Sequence, residues 1–255
     1  MEIDQTFEEF AAAAEKEEIA KQVAANSVSF VEHQSRAWSE LQKWWAEAQG
    51  FGKPPETANG PGSTVEATEA IREWLPGLFV RYDIRTMLDA PCGDWNWMRL
   101  VDLDYLNEYT GWDTDTNMVL KCQHRLEEGD HGGSFTPDAI FERVNILTVP
   151  EIPAYDLILS RDFLAHLPNE PIRGVLNKFK TSGSRFLLAS HYPDADNEFV
   201  YKPQDFTYFG YAERPVNLEK SPFNLTKRES RGEAQGPGGV ISQPHELALF
   251  ELNMP

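Results

Sequence analysis

A chain of 255 residues with 41% hydrophobic content is long enough for one sizeable α/β domain with an extension, and apolar enough for a real core. Its 41 acidic and 23 basic residues, a formal charge of −18, argue against nonspecific binding to a nucleic-acid backbone, which needs a basic footprint. Two cysteines and six histidines show neither a disulfide framework nor zinc-ligand spacing, so no metal is expected, and no run of about 18 apolar residues is present to span a membrane.

The N-terminus, Met1 to Gln5, is acidic and lacks a signal pattern, which with the sparse cysteines points to the cytoplasm. Residues 4–50 read as helical, with Phe7, Phe10, Ala14, Ile19 and Val23 at helical spacing and Trp38, Leu41 and Trp45 on one face of a second stretch. These rings suit packing of an extension onto the main domain, or an aromatic lid; a homodimer through the same helices is a further expectation. Residues 51–64 are a Gly/Pro-rich connector. Ser63 or Thr64 can cap the helix that follows, which runs through Ala67, Ile71, Trp74 and Leu75 toward Pro76. A boundary near residue 58 divides an N-terminal extension, 1–58, from the main domain, 59–255.

From residue 86 the pattern is strand–helix alternation, the mark of a parallel sheet. Strands are expected at 86–89, 109–112, 141–144, 155–160 and 185–190, with helices at 97–106, 117–126 and 168–180 between them. After residue 191 the alternation stops. Residues 206–211 and 247–252 read as a final antiparallel pair, separated by a polar, Gly-rich stretch at 226–239 read as a mobile loop.

The first strand is the most informative. It ends in Asp89 and turns through Ala90, Pro91, Cys92 and Gly93 into Asp94 and the aromatic start Trp95-Asn96-Trp97. A small-residue turn between strand and helix lets a ligand approach the backbone closely. The dinucleotide fingerprint G-x-G-x-x-G is absent, since only Gly93 stands where a glycine is needed, and an acid at the strand end would repel a pyrophosphate. A ligand carrying a cationic amine and no phosphate suits Asp89 better.

Asp89-Ala-Pro-Cys-Gly-Asp94 resembles the D-x-G-C-G-D form of motif I in class I methyltransferases that use S-adenosylmethionine (SAM), with Pro91 in place of the first glycine. Tyr109 to Asp113 is similar to the family's Y-x-G-x-D, and Ser160 to Leu167 to its R-D-x-L-x-H-L segment. Asn59-Gly-Pro-Gly-Ser63, followed by Thr68 and Arg72, resembles a segment that closes the site over the methionine end of SAM in some small-molecule and glycan methyltransferases. Residues 211–225, with Arg214 and Asn217, are similar to a C-terminal motif of a bacterial group, where these two shape the acceptor pocket or simply fix a loop.

The resemblance implies an α/β, Rossmann-like sheet of seven mostly parallel strands with an antiparallel C-terminal pair. It implies SAM as cofactor, held by Ser63, Thr68, Arg72, Asp89, Ala90, Pro91, Gly93, Trp97, Asp113, Thr114, Asn145, Ile146 and Arg161. Asp113, closing the second strand, suits the ribose hydroxyls, though Asp113 and Asp115 compete for that role and for capping the next helix. Asn145 would lie beside the adenine amine, or form an ordinary side-chain turn. Asp162, His166 and His191 are the candidates to take a proton from an acceptor hydroxyl or amine. The expected activity is methyl transfer to an O or N nucleophile of a small-molecule or glycan acceptor. The alternatives are a SAM-binding regulatory protein without turnover, or a different transfer on the same fold.

Overall fold

A computed structural model describes residues 56–132, 137–198, 206–207, 210–211, 214–233 and 245–252. The expectations for residues 1–55, including the Trp38–Leu41–Trp45 face, lie outside them.

Seven strands form one sheet in the order β3-β2-β1-β4-β5-β9-β8. These are β1 (Thr86–Asp89), β2 (Glu108–Asp113), β3 (Asp138–Arg143), β4 (Leu157–Ser160), β5 (Phe186–His191), β8 (Thr226–Gly232) and β9 (Glu246–Glu251). Strands β1 to β5 pair in parallel, and β9 runs antiparallel between β5 and β8. Helix α1 (Glu69–Tyr82) precedes β1, α2 (Thr116–Glu127) follows β2, and α3 (Asn169–Thr181) follows β4.

Alternation along the central strands sorts the core into two halves. Met87, Leu157, Leu159 and Leu188 pack with Leu75, Leu78 and Phe79 of α1 and Val119 and Cys122 of α2. Leu88, Ile158, Leu187 and Ala189 pack with Ile172, Val175 and Phe179 of α3. A sheet apolar on both faces needs this double cover.

Four expectations are corrected. Helix α1 continues through Pro76 to Tyr82, because Leu78 and Phe79 beyond it are buried and carry the helix on. Residues 97–106 form one 3-10 turn, Met98–Leu100, and then a loop in which Asp102 accepts the Asp104 N–H. Residues 206–211 make only a two-residue hairpin, β6 (Phe206–Thr207) with β7 (Gly210–Tyr211), outside the main sheet. The strand that completes the sheet is instead β8, inside the stretch read as a loop. It is polar because it is an edge, and its charges pair off: Lys227 with Glu246, Arg228 with Glu251, and Glu229 with Arg81 of α1.

Candidate functional site

The strand order reverses between β1 and β4, which opens a crevice beyond the carboxyl ends of these strands. The turn after β1 lines one side of it. Ala90 N–H bonds the Leu159 carbonyl of β4 and Cys92 N–H the Trp112 carbonyl of β2, so the turn is stitched to both neighbouring strands. Gly93 has φ +56°, a left-handed conformation that glycine adopts without cost. A Cβ there would also meet the Asn59 side chain at 1.9 Å.

Two carboxylates flank this turn. Asp89 is buried, and Tyr109 Oη donates to its Oδ2 at 2.6 Å. Burial raises the Asp89 carboxyl to about 7; the Tyr109 bond opposes the rise and the Asp113 charge adds to it. Among the described residues Asp89 Oδ1 accepts no hydrogen bond. Asp113 accepts Gly93 N–H on Oδ2 at 3.0 Å and Asp115 N–H on Oδ1 at 2.9 Å. Burial pushes this carboxyl up as well, against those two bonds. Asp115 is the helix cap, accepting Asn117 N–H at 2.7 Å. Each Asp113 oxygen keeps a second lone pair for a ligand.

Asp94, just after the turn, sits in a polar knot of its own. Its fully buried carboxylate accepts from Thr57 Oγ1, Ala58 N–H, Asn59 Nδ2 and Lys121 Nζ at 2.7–3.2 Å. The segment 57–59 is thereby pinned over the Gly93 turn.

The upstream candidates divide. Ser63 meets Arg161, with Nη1 3.4 Å from its hydroxyl. Thr68 is buried and its hydroxyl bonds the Thr64 carbonyl, while Arg72 Nη2 bonds the Val65 carbonyl; both shape the start of α1. Arg161 is nearly enclosed and gathers the crevice: Nη2 bonds the Gly62 carbonyl, Nη1 pairs with Asp162, Nε pairs with Glu233, and the guanidinium lies 5.6 Å from the Trp97 ring centre. On the far side of β2, the Thr114 carbonyl accepts from Arg143. Asn145 Oδ1 accepts Leu147 N–H, closing a side-chain turn that Lys178 anchors through the carbonyls of Ile146, Leu147 and Val149. The Asn145 amide nitrogen and the second lone pair of its Oδ1 are left able to face a ligand, and Ile146 is buried beside them.

Past β4, Asp162 sits at φ +53° with its N–H on Ser190 Oγ and its Oδ1 accepting from the same hydroxyl. Burial pushes its carboxyl up, but Arg161 and Ser190 outweigh it and hold the group below the ordinary carboxylate range. His166 ends a 3-10 turn, half-buried, close enough to Asp162 to stabilise its charge, and without a side-chain hydrogen bond among the described residues. His191 is placed differently. It is fully buried, its Nδ1 accepts Leu218 N–H and its Nε2 meets Glu219 at 3.1 Å, so both ring nitrogens are engaged. Burial lowers its pKa. Arg214 bonds the Leu167 carbonyl and Asn169, and Asn217 bonds the Pro193 carbonyl; both tie down loops.

Glu233 and His245 were missed by the sequence reading. They lie just beyond the paired ends of β8 and β9, with Glu233 N–H on the His245 carbonyl, and face Asp162 and Arg161. The only signal was that an antiparallel pair brings its two open ends together, and β8 carries no apolar alternation to reveal it.

No protein-family model matches the chain, and no curated protein sequence does. Solved structures do. Magnesium protoporphyrin IX methyltransferase from Synechocystis PCC 6803, with S-adenosylhomocysteine (SAH) bound, is 11% identical with a TM-score of 0.53, over 89% of this chain and 99% of that one. An S-adenosylmethionine-dependent methyltransferase from Clostridium acetobutylicum is 11% identical with a TM-score of 0.51, over 73% and 92%. The methyltransferase domain of bacterial CtHen1 is 12% identical with a TM-score of 0.51, over 72% and 99%. At these identities the likeness is one of fold: a Rossmann-like methyltransferase sheet, mostly parallel, ending in an antiparallel pair.

Proposed function

We propose that the chain is a SAM-dependent methyltransferase acting on an O or N nucleophile of a small-molecule or sugar-like acceptor. The observation that carries the reading is the pair of buried carboxylates, Asp89 and Asp113, on either side of the Gly93 turn at the carboxyl ends of β1 and β2. The fit to the cofactor is chemical. Asp89 is a buried acid whose Oδ1 accepts no hydrogen bond among the described residues, with a second acid beside it, a setting that a cationic ligand relieves. The methyltransferase fold supports the same ligand.

In this reading Asp89 holds the cationic end of the cofactor and the turn backbone from Ala90 to Gly93 lies against it. Asp113, with Thr114 beside it, accepts the ribose hydroxyls. Asn145 and Ile146 face the adenine. Ser63, Trp97 and Arg161 close the methionine end, with Thr68 and Arg72 shaping the helix behind them. When bound, SAM supplies a methyl group on positively charged sulfur, so the protein's main task is alignment. Asp162, kept charged by Arg161 and Ser190, accepts a hydrogen bond from the acceptor's O–H or N–H. His166 takes the proton as the new bond forms. The net charge of −18 supports a small or glycan acceptor over a nucleic acid.

Calorimetric titration with SAM, and separately with NAD, tests the cofactor. Failure of SAM to bind at millimolar concentration would end the proposal. Release of SAH across a screen of hydroxyl, amine and glycan acceptors tests turnover. Binding without turnover in that screen would favour a SAM-binding regulatory protein.

A further inference from the structure

Asp162, Glu233 and His245 reach one point from three segments: the turn after β4, the end of β8 and the start of β9. One ligand atom from each lies within 4.8 Å of the other two. We propose that these three side chains form a binding site for a divalent transition cation of the Mn²⁺ or Zn²⁺ kind, on the acceptor side of the crevice.

The argument starts from one oxygen. The Glu233 side chain is 1% exposed, and its Oε1 is held by Arg161 Nε at 2.6 Å. Its Oε2 is buried and makes no hydrogen bond among the described residues. A buried carboxylate oxygen with no donor is uncommon, because nothing replaces its lost hydration. That oxygen faces His245 Nε2 across 3.7 Å. The gap is too long for a hydrogen bond. Two ligand atoms that each sit about 2.1 Å from one ion are separated by about 3–4 Å, which this gap matches.

The two carboxylates are held in place by second partners, as carboxylate ligands are in the outer shell of a metal site. Arg161 pairs with Asp162 Oδ2 at 2.9 Å as well as with Glu233, and Ser190 donates to Asp162 Oδ1 at 2.8 Å. The Tyr192 ring stacks on His245, with centres 5.3 Å apart. With both carboxylates ionised and His245 neutral, two negative charges stand against one guanidinium; burial raises the Glu233 carboxyl, and a dication would favour its ionised form. One imidazole and two carboxylates form a mixed N/O set, which suits Mn²⁺ or Zn²⁺ better than Ca²⁺.

Three protein ligands would leave coordination positions open toward the crevice. An acceptor oxygen could enter one of them, which narrows the substrate to a molecule presenting a hydroxyl or carboxylate. That last step rests on the methyl-transfer reading; the cation site itself does not.

The test uses the full chain, stripped with chelator and without SAM. Mn²⁺ is titrated while the free ion is followed by electron paramagnetic resonance, and Zn²⁺ is titrated by calorimetry. One ion per chain is expected, together with a rise in Tm. Glu233→Gln and His245→Gln, each checked for folding by circular dichroism, should weaken binding by at least about tenfold and abolish the rise. Such a loss in either folded variant supports the site. Failure of both ions to bind the parent at millimolar concentration, or binding unchanged in both variants, would overturn it. Because SAM is absent, a positive result stands even where the cofactor titration fails.

Discussion

Tyr109 donates its phenolic hydrogen to Asp89 Oδ2 across 2.6 Å, with both side chains buried. Burial raises this acid, and the Tyr109 bond opposes the rise without cancelling it. With its carboxyl at about 7, Asp89 binds a proton in the folded state over a range where the unfolded chain, near the ordinary aspartate value of about 4, has released it. Stability from this group is therefore full below about pH 4 and falls as pH rises toward 7. Asp89→Asn should remove that slope, read as urea midpoints compared at pH 5 and pH 8.

The same proton governs the ligand. A cation favours the ionised carboxylate, so SAM affinity should fall by about tenfold per pH unit below 7 and level off above it. Calorimetry across pH 5.5–8 measures the profile. A flat profile in the parent would contradict the role given to Asp89.

Asp113 uses one oxygen on each of two backbone N–H groups. Asp113→Asn must turn its own NH₂ against one of them. A stability loss of about 1–3 kcal/mol is expected, with SAM affinity at least about tenfold lower. Thermal melts and titration separate the two effects, and unchanged SAM affinity would remove this residue from the ribose site.

Asp94→Ala takes the acceptor from four donors, the Thr57 hydroxyl in a buried bond and the other three in part-buried ones. The expected cost is about 3 kcal/mol, reduced by the partial exposure of Lys121. Hydrogen exchange should show the Ala58 and Asn59 amides losing protection first.

His166 and His191 are distinguishable by kinetics. With an acceptor that supports SAH release, His166→Gln should lower kcat by at least about 100-fold and leave SAM affinity intact. His191→Gln should lower Tm and leave kcat within about threefold, because both nitrogens of His191 serve the 218–219 loop. The reverse pattern would move the proton acceptor to His191.

The central strands and their acidic ends were legible because burial on both faces writes itself as an apolar run, as in Leu157–Ser160, and because a small-residue turn stands out after such a run. The helix through Pro76 was not, since its continuation depends on tertiary burial of Leu78 and Phe79. Trp97 to Leu106 carries helical apolar spacing, yet Asp102 offers the backbone a competing turn. Strand β8 was hidden for the opposite reason: an edge strand is selected for charge, and its sequence reads as a loop. Asp113 and Asp115 are equivalent acids on paper, and only the Asn117 bond separates cap from candidate ligand. Glu233 and His245 depend on a register that no local pattern encodes.

The two walls of the crevice differ in how much chain they need. Gly93 and Asp113 are 20 residues apart, whereas Arg161 waits for a partner 72 residues further on. During synthesis the carboxylate corner has all its side chains once β2 has emerged, but Arg161 has only Gly62, Ser63 and Asp162 to meet, and its Glu233 partner arrives with the closing strands. Loop closure over the longer span is also the costlier step. A chain cut after β5 would keep Asp89, Gly93 and Asp113 and lose Glu233 and His245, so limited proteolysis could yield a product with one wall of the crevice and not the other.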